Sequence, residues 1–584
     1  MIPPSNNPIR SSSAVPVQKA ASAVQKDFLL SVLLVIAALL AYANTFNAPF
    51  VFDDRPAILD NPTIRDLSRL DRVFSPPVDG RAVAGRPVIN FTLAVNHAWS
   101  GFAPWSYHLF NFVVHLAGGV LLWRILRRIL AVPELAWWVA LLWTLHPLQT
   151  ESVTCVVQRT ESLGGFFVLL TLFAFIRAAE SPVRSRGWLA LAVSACLIGM
   201  ATKEIMATVP LLVLLYDRTF MAGSFSGAWE RRRGWYVALA STWVLLALLV
   251  LRGGGTRGSA AGFASGVSSW EYLRSQAGAI IHYLRLTIWP HPLVVDYGPA
   301  VPVALAEVWW QGLIVLALAV AAGWALVRKP AVGFAGAWFF IILAPSSSFI
   351  PLAAQPIAEH RMYLPLAAIL ALFASFAYQR LGRRLVPVLA VLGLVAGVLT
   401  WQRNALYRTE LALWTDTVAR APMNPRALGN LGAVLLDQGR PEEAAAVFGR
   451  ALAILPNSPE ILSNLCNTCA GLGRFSEAIA YGEKALRVAP DDADARINLS
   501  RAFYLSGNAA VAIRDFPAAL AAYRRAISCD PANVALRNNL ANVLLVLGKW
   551  DEAIAEYGVV LRARPEDRSV QENLQRAIEL KAGR

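Results

Sequence analysis

A chain of 584 residues that is 56% hydrophobic and only 16% charged, with a mean hydropathy of +0.48, is too apolar to be a soluble protein of this size. Its formal net charge of +15 does not point to nucleic acid, because the Lys and Arg residues cluster at the ends of apolar segments, where the positive-inside rule accounts for them. The five cysteines (Cys155, Cys196, Cys466, Cys469, Cys529) have neither zinc-site spacing nor the density of a disulfide scaffold; Cys466 and Cys469, one helical turn apart, read as packing residues.

Residues 1–27 are rich in Ser, Pro and Ala and carry Arg10, Lys19 and Lys26, which predicts a disordered cytoplasmic lead. The first apolar stretch, Phe28 to about Thr45, is not followed by a small-residue cleavage signal and reads as a retained anchor. A polar loop over 45–107 follows, with six Asp and six Arg between Asn44 and Tyr107 and with Trp99 and Trp105 near its end. It contains Val51-Phe52-Asp53-Asp54-Arg55, two adjacent carboxylates a few residues from a membrane exit. Such a pair is either an ordinary solvated loop or a site.

Further apolar segments at about 108–127, 135–148, 163–178, 187–201, 205–217, 234–251, 306–327, 331–350, 363–379 and 385–401 bring the expected spans to about eleven. With the N-terminus inside, Arg124/Arg127/Arg128, Arg184/Arg186, Arg231/Arg232/Arg233, Arg328/Lys329 and Arg380/Arg383/Arg384 all fall in the cytoplasm. Residues 271–290 are apolar too, but Arg274, His282 and Arg285 suit an interfacial or re-entrant helix within an outer segment, 252–305. The membrane domain thus covers 28–401.

This topology gathers Asp53/Asp54, His146 with Glu151, Arg159 and Glu161, Lys203-Glu204 and Glu359-His360-Arg361 on the outer side. Mixed charges converging there suit an anionic, polar substrate. The bland alternative is local neutralisation, Lys203 by Glu204 and Glu359 by Arg361; it is harder to sustain for every pair at once.

From about Glu410 the pattern becomes amphipathic with a 34-residue period: Pro422, Pro456 and Pro490, then Pro531 and Pro565 after a seven-residue insertion. Asn430, Asn464, Asn498, Asn539 and Asn573 keep that spacing, and Gly439, Gly473, Gly507 and Gly548 mark the turns between paired helices. These are tetratricopeptide repeats over 410–584, whose stacked pairs build a concave groove suited to an extended peptide. The fold class is therefore all-α: a polytopic helical membrane domain followed by a repeat solenoid.

Phe52-Asp53-Asp54 with Asp60-Asn61-Pro62, Arg86-Pro87, Asn96, Tyr107-His108, Asn111 and His115 resembles the first loop and second span of the transmembrane and tetratricopeptide-repeat O-mannosyltransferases. The likeness continues in order through His146-Pro147-Leu148-Gln149-Thr150-Glu151-Ser152-Val153, Arg159, Lys203-Glu204 and Glu359-x-Arg361-x-Tyr363-Leu364-Pro365, where His360 is inserted between the family's Glu and Arg. It spans roughly 45–584, and its specificity lies in the ordered set. The resemblance implies a C-type glycosyltransferase fold and transfer of a sugar, mannose in eukaryotic members, from a polyprenyl phosphate to a Ser or Thr hydroxyl on the outer or luminal side.

On that reading Asp53 or Asp54 is the general base, with Asp53 favoured; Arg361, Lys203 and Arg159 face the leaving phosphate; His146, Glu151, Glu204 and Glu359 support the site. Displacement with one base inverts the anomeric centre. Paired acids also invite a divalent cation, but no third ligand is identifiable and metal dependence stays open. The implied partners are the lipid donor, membrane lipid and an acceptor protein or peptide in the repeat groove. Short Arg-rich loops and compact spans suit a bacterial inner membrane with periplasmic repeats. Three other readings are carried: transfer to a glycan, lipid or wall polymer; a transporter, against which stands the lack of an internal repeat across the membrane halves; and a non-catalytic repeat scaffold, which leaves the outer charge convergence unexplained.

Overall fold

Each of the eleven apolar segments falls largely in helix in the computed structural model, which describes residues 14–77, 81–253, 267–299, 303–352 and 354–583. No β-strand occurs among the described residues. Seven helical stretches are long and apolar enough to cross a membrane: Val24–Tyr42, Trp105–Ile129, Val156–Glu180, Glu204–Ala222, Phe225–Arg252, Leu305–Arg328 and Pro365–Leu406. The last consists of two consecutive helices, Pro365–Leu381 and Leu385–Leu406. Of four shorter apolar helices among the described residues, Glu134–Leu145, Ser185–Met200 and Pro330–Leu343 belong to the membrane part and Val534–Val546 to the repeats. At 1.5 Å per residue the 12-residue Glu134–Leu145 helix is about 18 Å long, less than a ~30 Å hydrocarbon core.

Hydrogen bonds between helix ends sort the bundle into two rims. At one rim Tyr42 reaches Thr144 O, Asn44 reaches Trp401 O, Asn404 reaches Ala41 O, Thr400 reaches Leu145 O, and His115 Nδ1 meets the Tyr363 hydroxyl at 2.9 Å. At the other, Arg124 and Arg127 share Asp27, Arg128 pairs with Glu180, Trp137 donates to Leu30 O and Arg218 to Leu326 O. Successive helices therefore run in alternating directions, with a basic rim opposite a rim where the candidate residues lie. Arg232, one of the basic cluster at 231–233, turns inward to the fully buried Asp217 at 2.8 Å.

The described structure bears on three expectations. The disordered lead over 1–27 is helical from Ala14, the start of the Ala14–Tyr42 helix; residues 1–13 lie outside the described residues. The described part of the loop over 45–107, all but residues 78–80, is a folded cap, because Val51, Ala57, Ile58, Ile64, Val73, Ile89 and Leu93 have no solvent contact to speak of and pack in one core with Val114, Val156, Val157 and Leu163. Within the outer segment 252–305, residues 254–266 and 300–302 lie outside the described residues, and the rest contains the helix Ser269–Ile288, opened by a Ser268/Glu271 capping box. Tyr272 bonds Ser346 O, Gln276 bonds Pro356 O, Tyr283 accepts from Ala358 N and Thr287 O meets His146. Partners along its whole length belong to one rim, so this helix lies across that rim, with Trp270, Ile288 and Trp289 exposed.

The chain divides into two compact units, the first ending at Leu413 and the second beginning at Trp414. In the second, the first helices of successive repeats begin at caps spaced like the repeats themselves: Asn424, Ser458, Asp492, Asn533 and Asp567 each accept a backbone N–H two or three residues on. Gly439, Gly473 and Gly548 take the left-handed conformation at the turns, with φ of 71°, 76° and 72°. Gly507 does not: it sits inside the helix Ala493–Ala512, where a Cβ would come within 2.8 Å of the Tyr523 ring. The seven inserted residues lengthen that helix by about two turns, and its turn falls on Arg514 at φ 61°.

Candidate active site

The two adjacent acids have opposite environments. Phe52 holds a positive φ of 53°, and after this bend Asp54 points inward, fully buried. Its carboxylate accepts from the backbone N–H of Val51 at 3.1 Å, Val156 at 3.3 Å and Val157 at 2.7 Å, which fastens the cap to the start of the Arg159–Glu180 helix. Burial pushes its pKa up to about 7, against the pull of those amides. Asp53 is the half-buried member. The pair is thus not a chelate of two free carboxylates, and among the described residues no three His, Cys, Asp or Glu side chains stand together as a metal would need.

Arg159, expected to face the donor phosphate, is engaged by protein acceptors. It is fully buried, and its guanidinium donates to Asn96 Oδ1 at 2.8 Å, Thr92 Oγ1 at 3.2 Å, Tyr107 O at 3.2 Å and Val156 O at 3.3 Å, with the Phe110 ring 4.7 Å away. These contacts tie the cap helix Pro87–Ser100 to the membrane helices. Together with Asn111, which donates to Val153 O and Val156 O, Arg159 sets the path of residues 151–158.

The remaining candidates converge. Lys203 pairs with Glu161, and both line a small cavity with Arg361, Ile205, Ile342, Ser346, Tyr363 and Leu364. Arg361 is held by carbonyls, Pro356 O at 2.7 Å, Ser346 O at 3.2 Å and also Gln355 O. His360 joins the neighbouring acids: Nδ1 lies 2.7 Å from Glu151 and Nε2 3.6 Å from Glu161. Burial lowers the His360 pKa to about 3 and raises that of Glu151 to about 8. Glu359 accepts from Tyr297 at 2.8 Å and from Val294 N, and burial lifts it to about 7. Tyr297 in turn meets His282 of the rim helix at 2.9 Å. His146 bridges Thr287 O and the N–H of Leu148.

Local neutralisation is therefore not the pattern. Lys203 is bonded to Glu161, Glu204 to Arg86 at 3.3 Å and Glu359 to the 294–297 loop, so charges pair across segments distant in sequence. With His360 neutral, the cavity lining holds two cations and one carboxylate, a net positive charge that favours one anionic group. Sequence reasoning gave no role to Arg86 or Tyr297. Arg86 was visible in Arg86-Pro87; Tyr297, in an irregular loop, carried no periodic or motif signal.

Tetratricopeptide-repeat profiles match residues 435–481, 470–515 and 504–568. Over 448 residues the chain is 22% identical to "Protein O-mannosyl-transferase F38B6.6" of Caenorhabditis elegans, covering 72% of this chain and 62% of that one. "Protein O-mannosyl-transferase TMTC4" of Homo sapiens is 24% identical over 72% of this chain and 66% of its own length. "Protein O-mannosyl-transferase Tmtc2" of Drosophila melanogaster is 31% identical over 45% of this chain and 29% of its own. The chain thus spans less than two thirds of each of these relatives. Among solved structures, a MamA protein is 23% identical over 27% of this chain and 82% of its own, with a TM-score of 0.23.

Proposed function

We propose that this chain, a membrane-embedded homologue of the protein O-mannosyl-transferases over some seven-tenths of its length, transfers a sugar from a polyprenyl-phosphate donor to Ser or Thr hydroxyls of proteins. The observation that carries the reading is the meeting of Lys203 and Arg361 in one cavity on the rim that also bears the Asp53 turn. A neutral hydroxyl needs a base at hydrogen-bond distance, and Asp53, the half-buried acid of the pair, takes its proton. As the glycosidic bond breaks, the lipid phosphate gains charge, and Lys203 and Arg361 stabilise it. Arg361 is clamped by three carbonyls and Lys203 by Glu161, so neither cation must reorganise when that charge appears. Displacement from one face inverts the sugar. Mannose is the sugar proposed, from the names of the matched relatives.

Buried Asp54, Arg159 and Glu359 position the loops that carry these groups. The rim bearing them is proposed to face the periplasm of a bacterial inner membrane, since the opposite rim holds the Arg clusters. The repeats are proposed to bind the acceptor. The test is release of polyprenyl phosphate by the purified full chain. Lys203→Ala and Arg361→Ala should each raise the KM for the donor at least about tenfold, the loss expected for a charge-assisted contact of ~1.4 kcal/mol or more. An unchanged donor KM in both variants would remove the cavity from the mechanism.

A further inference from the structure

Two buried titratable side chains beside the cationic cavity take no step in the proposed transfer: His360 and Glu151, each 5% exposed. His360 stands behind Glu161, a lining residue, and Glu151 stands behind His360. One oxygen of Glu161, Oε1, faces two donors, Lys203 Nζ, which is bonded to it, and His360 Nε2 at 3.6 Å. At that distance the imidazole is outside hydrogen-bond range, and the carboxylate belongs to Lys203. On the far side of the ring, Nδ1 lies 2.7 Å from Glu151 Oε1, a bond that needs one hydrogen between the two atoms. Burial keeps His360 neutral and holds Glu151 protonated up to about pH 8. The Glu151 carboxyl therefore donates to Nδ1, and the ring's own hydrogen sits on Nε2, turned toward Glu161. The charged groups around His360 are Glu151, Glu161, Lys203, Arg361 and Arg86; around Glu151 they are Arg403, Lys203, Asp296 and Glu359.

A phosphate in the cavity competes with Glu161 for Lys203, and a buried carboxylate that loses its cation without a substitute is costly. We propose that His360 is a positioning residue: its Nε2–H takes over Glu161 when Lys203 turns from that carboxylate to the donor phosphate, and the Glu151 carboxyl fixes which ring nitrogen carries the hydrogen. The inference rests on the transferase reading above. The exchange asks for a movement of about 0.7 Å, from 3.6 Å to an ordinary 2.9 Å, and no proton is transferred in it. A pH dependence follows. When Glu151 gives up its proton to solvent, the ring's hydrogen moves to Nδ1 to meet the carboxylate, and Nε2 turns a lone pair on Glu161. Glu161 then keeps Lys203, and the anion binds less well.

The test uses the full chain and geranylgeranyl methyl phosphate, a phosphodiester whose head does not titrate between pH 7 and pH 9, so no turnover is needed. Its Kd should rise at least about fivefold over that range, because the competent protonation state falls to roughly a tenth. Glu151→Gln, whose amide donates to Nδ1 at every pH, should hold the rise below about twofold. His360→Gln carries an N–H to the Nε2 position, whereas the amide of His360→Asn stops at Nδ1. At pH 7, His360→Gln should therefore bind the probe at least about fivefold more tightly than His360→Asn. A rise as steep in Glu151→Gln as in wild type, equal Kd for the two His360 variants at matched Tm, or no binding by wild type overturns the proposal. If His360→Asn does not fold, the Glu151→Gln profile decides. The expected binding pattern with no sugar released from any polyprenyl-phosphate sugar would keep the positioning role and discard the transferase. Sugar release without that pattern would do the reverse.

Discussion

Asp54 and Asp53 are chemically identical neighbours that the fold separates into a fully buried fastener and a half-buried acid. Removing the fastener leaves three backbone N–H groups buried without acceptors, so Asp54→Ala should destabilise the membrane unit by roughly 2–4 kcal/mol, read as a drop in thermal unfolding temperature. A Tm unchanged by that substitution would contradict the role. Asp54, Glu359 and Glu151 all have pKa values raised by burial, to about 7, 7 and 8. The sign follows: the native state binds protons that the unfolded chain has released, so their stabilisation is full below the ordinary carboxylate range and is lost as pH rises through 7 to 8. His360, whose lowered pKa acts in the opposite sense, is present in both proteins, so the Tm of wild type relative to Glu151→Gln should fall between pH 5 and pH 8; a relative Tm that rises with pH would reverse the assignment.

At the scale of elements, the residues that carried pattern were legible and those that carried only contact were not. Apolar runs placed the spans, because burial in lipid demands about 20 apolar residues whatever the neighbours are. The repeat prolines and asparagines placed the solenoid, because each repeat must solve the same packing problem. Gly507 misled for a physical reason: glycine serves both a left-handed turn and a close helix contact, and here it relieves Tyr523 while Arg514 makes the turn. Arg514→Gly should accordingly stabilise the repeats by up to ~1 kcal/mol, seen as a raised Tm for the repeat transition, and a loss of stability would show that Arg514 makes compensating contacts. Arg159 shows a second limit, since an arginine near a site looks the same in sequence whether it faces a phosphate or, as its bonds here show, four protein acceptors.

For the whole molecule, the order of motifs announced which segments meet but not how their charges pair. Lys203 with Glu161 and Glu204 with Arg86 depend on how the helix ends fall at one rim, which no spacing along the chain encodes. If the repeats gather acceptor proteins, a chain ending at Leu413 should retain transfer to short peptides while losing at least about tenfold in kcat/KM for whole proteins. Equal losses for both would assign the repeats another task. The most direct test of the central claim is transfer of radiolabelled mannose from polyprenyl phosphate to periplasmic proteins by purified wild type and Asp53→Asn, with the Tm of both recorded. The account predicts label on protein with wild type, and at least about a hundredfold less with Asp53→Asn at an unchanged Tm. Equal label from the two proteins would contradict it.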